Sequence, residues 1–107
     1  MSLEFEVGVR GAVGVVRLIG RIDRDAETAI EEAYTTAIAS APTAVELDFS
    51  DVEYINSTGI ALIVSLLARA RTQGLPIRAT GLTAHYIHIF EITRLSDFIQ
   101  IVQPTQA

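Results

Sequence analysis

Hydrophobic and polar residues alternate strictly at the start of the chain. The apolar positions of this first run are Leu3, Phe5, Val7 and Val9. A period of two is typical of a strand with one buried face. Gly11 marks a turn, and a second run, rich in β-branched residues, spans 13–19 and closes at Gly20. The short connection predicts that the two strands form an antiparallel hairpin.

After Asp23 the apolar residues recur every three or four positions, which predicts a helix. Its apolar positions are Ala26, Ala29, Ile30, Ala33, Tyr34, Ala37 and Ile38. Asp23 or Asp25 can cap this helix, which ends before Pro42. The apolar run 44–49 then predicts a third strand, followed by a loop over 50–56.

A second helix is predicted from Ser57 to Thr72, because Gly74 and Pro76 follow as stop signals. It is apolar nearly all round. One stripe consists of Ile60, Ile63, Val64 and Leu67. Leu62 and Leu66 lie off this stripe, so they are either covered by other elements or exposed as a partner surface.

The rest of the chain predicts a strand at 76–80, a helix at 84–93, a strand at 98–102 and a frayed tail at 103–107. The order β-β-α-β-α-β-α-β predicts one α/β domain over residues 1–107, a single mixed β-sheet of about five strands packed with helices. Strands separated by helices pair in parallel through right-handed crossovers. Sites in such sheets lie at the carboxyl ends of the strands, which indicates the loop after Phe49.

Composition narrows the classes of function. The 107 residues, 50% of them hydrophobic, suffice for one core. The net charge of −5 argues against attraction to nucleic acid or anionic lipid. No apolar stretch approaches the roughly 20 residues of a membrane helix, and the N-terminus lacks the features of a signal peptide. We therefore expect a cytoplasmic protein that neither binds nucleic acid nor inserts into a membrane.

Catalytic and cofactor motifs are missing from the sequence. There is no Cys and no Lys, which excludes a thiolate site and a phosphate-binding loop with its Lys. Asp48 or Asp51 could accept a phosphate, but the acidic pair and Lys of such sites have no counterpart. His85 and His88 share the third helix without an obvious third metal ligand. We expect no enzyme, no cofactor and no metal site.

A polar triplet, Asn56, Ser57 and Thr58, precedes Gly59 and the apolar second helix. This pattern predicts a helix N-terminus with Asn56 or Ser57 as the cap. Free N–H groups and the helix dipole accept an anion there, so a phosphate on Ser57 would be tolerated. The triplet is therefore either a plain cap or a phosphorylation switch.

The segment 47–60, LDFSDVEYINSTGI, resembles the signature of STAS domains, specifically that of bacterial anti-sigma factor antagonists. Residues 20–23, GRID, are similar to the family's motif at the end of the second strand. The stretch 73–77 and Leu95 also fall where the family has its glycine before the fourth strand and its leucine after the third helix. The resemblance covers essentially the whole chain.

The resemblance implies a phosphoprotein that regulates transcription by partner switching in a bacterial stress response. In this family a kinase-type anti-sigma factor phosphorylates the antagonist, and only the unphosphorylated antagonist binds the kinase and frees a sigma factor. Ser57 then is the phosphoacceptor, with Thr58 as the alternative, and a PP2C-like phosphatase removes the phosphate. The expected partner-binding residues are Asp23, Asp51, Asn56, Ser57, Thr58, Gly59, Leu62 and Leu66.

One residue departs from the family pattern. Asn56 stands where the family has Asp, which keeps the capping geometry and removes a negative charge beside the acceptor. STAS domains also occur as non-phosphorylated subunits of lipid-transport ATPases. That function is the alternative to the sigma-factor switch.

Overall fold

A computed structural model describes residues 3–102, so the predicted frayed tail lies outside the described residues. The strands are β1 (Glu4–Arg10), β2 (Val13–Ile22), β3 (Ala44–Ile55), β4 (Ile77–Thr80) and β5 (Gln100–Ile101). The helices are α1 (Glu27–Ile38), α2 (Ser57–Thr72) and α3 (Ala84–Ile92), with 3₁₀ turns at Arg24–Ala26 and Leu95–Asp97.

The strands form one sheet in the order β1-β2-β3-β4-β5. β1 pairs antiparallel with β2, and the other neighbours pair in parallel. The predicted mixed sheet and its hairpin are therefore confirmed. Each helix connects a parallel strand to the next one in the same direction, and right-handed crossovers place all three helices on one face.

The core lies between this face and the helices. Val16 and Leu47 of the sheet meet Ile30 of α1 and Ile63 of α2. Phe49 of β3 contacts Phe90 of α3 edge to face, with the ring centroids 6.0 Å apart. Aromatic pairs favour this geometry, so α3 is fixed over the far half of β3.

The opposite face of the sheet carries charged side chains in ion pairs. Arg17 contacts Glu6 of β1 and Asp51 of β3. Arg10 donates two hydrogen bonds to the Glu46 carboxylate, at 3.1 and 2.7 Å. These bonds hold the pKa of Glu46 below its usual value although its side chain is buried.

β3 does not end where the sequence predicted. The expected loop over 50–56 is wrong, because the strand runs on to Ile55. Two bulges break the period-two pattern of β3. One extra residue lies between the pairs Gly20–Val52 and Arg21–Tyr54, and another lies between the pairs Arg17–Asp48 and Ile19–Asp51. Asp48 Oδ1 accepts hydrogen bonds from the N–H and the hydroxyl of Ser50 there, at 2.9 and 2.7 Å.

Smaller corrections concern element ends. α1 begins at Glu27 rather than near Asp23, because a 3₁₀ turn comes first. The last strand has two residues, and Phe98, which was predicted to begin it, follows a 3₁₀ turn. Within residues 3–102, none of the helices combines the length and apolar character needed to cross a membrane.

Candidate functional site

The candidate site lies where β2 and β3 end together. Ile22 and Ile55, the last residues of these parallel strands, are paired in register. Asp23 and Asn56 follow them directly, so the two polar residues lie at the same end of the sheet. The Asn56 N–H donates to the Ile22 carbonyl oxygen at 3.2 Å, which continues the ladder to the first residue beyond the strand.

Asn56 is the N-cap of α2. Its backbone is extended (φ −98°, ψ −178°), and its Oδ1 accepts a hydrogen bond from the Gly59 N–H at 2.8 Å. The Asn56 carbonyl oxygen accepts the first helical bond from the Ile60 N–H at 2.9 Å. An amide side chain thus satisfies one of the free donors of the helix N-terminus without adding charge.

Gly59 allows α2 to lie directly against the end of β2. A Cβ at this position would be 1.9 Å from the Ile22 carbonyl oxygen, far inside any real contact. Gly59 is therefore buried and cannot offer a side chain to a partner. Its contribution to the site is the close approach of helix and strand.

Ser57 and Thr58 form the first turn of α2, and both are exposed. The first turn contains no acidic residue. The positive end of the helix dipole and the free N–H groups favour a negative group at this position. The geometry therefore accommodates a phosphate on either hydroxyl without a change of fold.

Asp23 caps the neighbouring 3₁₀ turn through a hydrogen bond that its Oδ1 accepts from the Asp25 N–H at 3.0 Å. The Arg21 side chain approaches the same carboxylate at 3.8 Å. The Arg21 guanidinium also lies 4.5 Å from the centroid of the half-exposed Tyr54 ring. Arg21 and Tyr54, which sequence analysis missed, thus form the rim of the site beside Asp23.

Asp51 does not belong to the end of β3 that forms the site, because it lies inside the strand. Its carboxylate accepts a hydrogen bond from Arg17 Nε at 2.6 Å on the charged face of the sheet. Asp51 and Ile55 pair with Ile19 and Ile22, which are three residues apart on β2, or about 10 Å at the rise of a strand. The predicted loop over 50–56 is a strand here, so Asp51, which was expected among the partner-binding residues, lies on the charged face of the sheet and away from Ser57.

Leu66 is also excluded from a docking surface, because its side chain is only 8% exposed and belongs to the core. Leu62 is half-buried and lines a groove with Glu27 and Ile30 of α1. Val64 of the predicted apolar stripe is 46% exposed. Packing of α2 against α1 and the sheet, which periodicity along α2 alone does not reveal, decides which of its positions are buried.

Tyr86 of α3 contacts the backbone of the site. Its hydroxyl oxygen accepts a hydrogen bond from the Ile55 N–H at 3.0 Å. Ile55 immediately precedes the N-cap Asn56. No sequence pattern links a tyrosine in one helix to the end of a distant strand, so this contact was not predictable.

Residues 5–103 match a family model described as "Mlab, STAS domain". Among curated proteins, an anti-sigma-B factor antagonist of Listeria monocytogenes is 26% identical over 102 residues. That alignment covers 94% of this chain and 90% of the relative.

Solved structures of similar fold include an anti-sigma factor antagonist from Mycobacterium paratuberculosis, with a TM-score of 0.76 and 21% identity. That match covers 95% of this chain and 86% of the other. A second is the Bacillus cell fate determinant SpoIIAA in its phosphorylated form, with a TM-score of 0.67 and 19% identity. It covers 92% of this chain and 91% of that structure. At these identities the structures establish the shared fold.

Proposed function

Because the chain belongs to the STAS domain family, we propose that it is an anti-sigma factor antagonist that binds a kinase-type anti-sigma factor and thereby releases a sigma factor. Phosphorylation of Ser57 ends this binding. The observation that carries the proposal is the exposed Ser57 hydroxyl on the first turn of α2, at a helix end that Asn56 and Gly59 fix against β2. Thr58 is the alternative acceptor.

A phosphate at Ser57 weakens partner binding and leaves the fold of this chain unchanged. It adds a charge of about −1.5 to −2, which the helix N-terminus stabilises. A docked acidic or apolar partner is repelled by the same charge and by the cost of removing its water. A loss of a few kcal/mol in binding corresponds to about 100-fold in affinity.

The proposed docking surface consists of the exposed and half-buried residues around this helix end. Ser57 and Thr58 form its centre, Asn56 and Asp23 flank them, and the half-buried Leu62 lies at its margin toward α1. A PP2C-like phosphatase returns the protein to its binding form. From the expected partner-binding residues, this surface leaves out Asp51, Gly59 and Leu66.

Asn56 leaves the surroundings of the Ser57 hydroxyl less negatively charged than an aspartate would. Asn and Asp cap helices about equally well, so the exchange changes charge and leaves the fold alone. A kinase that uses this charge, directly or through a bound metal, will phosphorylate Ser57 of the wild type more slowly than Ser57 of the Asn56→Asp variant.

The test is an affinity pull-down from the source cells with the wild type and Ser57→Asp in parallel, followed by mass spectrometry of Ser57 and Thr58. We expect the wild type alone to recover an ATP-binding kinase-type partner. Recovery of a transporter ATPase with both forms would refute the switch and support the alternative subunit function.

A further inference from the structure

The end of β3 extends well beyond its neighbour on one side. β3 pairs with β4 only from Val45 to Asp48, where Asp48 is paired with Thr80. On the other side β2 follows β3 as far as Ile55. Residues 49–55 therefore have a strand partner on the β2 side and none on the β4 side.

The Ile55 N–H is one of the donors on the unpaired side. The next N–H, that of Asn56, donates to Ile22 of β2. Because successive N–H groups of a strand point to opposite sides, the Ile55 N–H points away from β2. Ile55 is buried, and a buried N–H without a partner is costly.

Tyr86 supplies the missing acceptor. It lies in the first turn of α3, where its N–H donates to the capping Thr83 Oγ1 at 3.3 Å. Its half-buried ring directs the hydroxyl to the Ile55 N–H at 3.0 Å. The backbone that leads into Asn56 is thus held from both sides, by β2 through Ile22 and by α3 through Tyr86.

We propose that Tyr86 is a positioning residue for Ser57: through the Ile55 N–H, its hydroxyl fixes the N-terminus of α2 and couples that helix end to α3. The consequence of this role for phosphorylation rests on the proposed function. The ordering of residues 55–59 by Tyr86 does not depend on that function.

The first test measures amide hydrogen exchange by NMR on the isolated protein. In the wild type, the Ile55 amide is expected to exchange as slowly as strand-paired amides such as that of Leu47, although no strand pairs with it on that side. Tyr86→Phe, which removes one oxygen, should speed exchange at Ile55 about five- to tenfold, the factor that one hydrogen bond supports. Amide shifts of 56–59 should move with it.

Tyr54→Phe is the matched control, because Tyr54 adjoins Ile55 in the chain and the residue is 40% exposed. It should leave the Ile55 amide unchanged. A rapidly exchanging Ile55 amide in the wild type, or an equal effect of the two variants, would overturn the proposal.

The second test uses the kinase recovered by pull-down. Tyr86→Phe should lower kcat for Ser57 phosphorylation about fivefold, because the acceptor hydroxyl is no longer held in one orientation. Any rise in KM should be smaller than this loss in kcat. A change in KM alone would mean direct contact with the partner and would overturn the positioning role. An unphosphorylated Ser57 in the wild type would instead refute the proposed function, and the amide data would then decide the role of Tyr86 separately.

Discussion

The N-termini of α2 and α3 are built alike and offer different chemistry. Each follows the carboxyl end of a parallel strand, and each has a side-chain cap, from Asn56 to the Gly59 N–H and from Thr83 to the Tyr86 N–H. α2 presents two exposed hydroxyls, Ser57 and Thr58, in its first turn. α3 presents none there, because Ala84 and His85 occupy the equivalent positions. The two helix ends therefore share a cap and differ in the groups that they expose.

A second difference lies in how the two ends are held. The α2 end is in contact with β2 through Gly59 and is held by Ile22 and Tyr86 through the preceding backbone. Under the proposed function, this fixed backbone would orient the Ser57 hydroxyl for a kinase. The exposed hydroxyls and the contact of Gly59 with β2 distinguish the α2 end from the α3 end.

The largest expected effect comes from separating α2 from β2. Gly59→Ala places a methyl group against the Ile22 carbonyl and should lower the free energy of unfolding by about 3 kcal/mol, at the upper end for overpacking. Urea denaturation measures it. Gly8→Ala is the control, because a Cβ there meets nothing within 4 Å, and it should change stability by less than about 0.5 kcal/mol. A loss below about 1 kcal/mol for Gly59→Ala would contradict the close contact.

The next effect concerns binding. Ser57→Asp should weaken partner affinity by about 100-fold and leave the free energy of unfolding within about 0.5 kcal/mol of the wild type. Ala84→Asp introduces the same acid into the first turn of α3 and should leave the affinity unchanged. Calorimetric titration with the recovered partner compares the two. Equal losses would mean that net charge, and not the α2 end, controls binding.

Removing either helix cap should have a smaller effect, this time on the free energy of unfolding. Asn56→Ala and Thr83→Ala should each destabilise the protein by about 1 kcal/mol in urea denaturation.

Asn56→Asp should keep stability and speed Ser57 phosphorylation, since it adds a charge and retains the cap. An unchanged phosphorylation rate would show that the geometry of the acceptor is sufficient.

The smallest effect concerns the charged face, remote from both helix ends. The Arg10 hydrogen bonds keep the pKa of Glu46 lower in the folded than in the unfolded protein, so the unfolded state binds more protons in acid. The stabilisation is therefore complete above the unfolded pKa and is lost as the pH falls through the folded one. Glu46→Gln should flatten the acid side of the stability profile and leave partner affinity unchanged. An unaltered acid limb would contradict this role of Glu46.

Local signals in the sequence were enough to predict most of the fold. The order of elements, the hairpin and the bounds of α2, Ser57–Thr72, follow from periodicity and stop signals. The match over residues 5–103 confirms the predicted family. The end of β3 was not predictable, because its two bulges interrupt the alternation on which strand prediction depends.

The site was predictable only in part for a similar reason. The cap at Asn56 is a local feature, and the sequence indicated it. The burial of Leu66, the ion pair of Asp51 with Arg17 and the contact of Tyr86 with Ile55 join elements distant in the chain. Such contacts depend on packing and strand register, which a single sequence does not encode in any short pattern.

The most direct test of the account is to incubate the purified protein with its recovered partner and ATP, locate the phosphate by mass spectrometry and measure complex affinity before and after. The account predicts one phosphate, on Ser57, and a complex about 100-fold weaker once it is present. A complex that persists with Ser57 fully phosphorylated, or that dissociates with Ser57 unmodified, would contradict it.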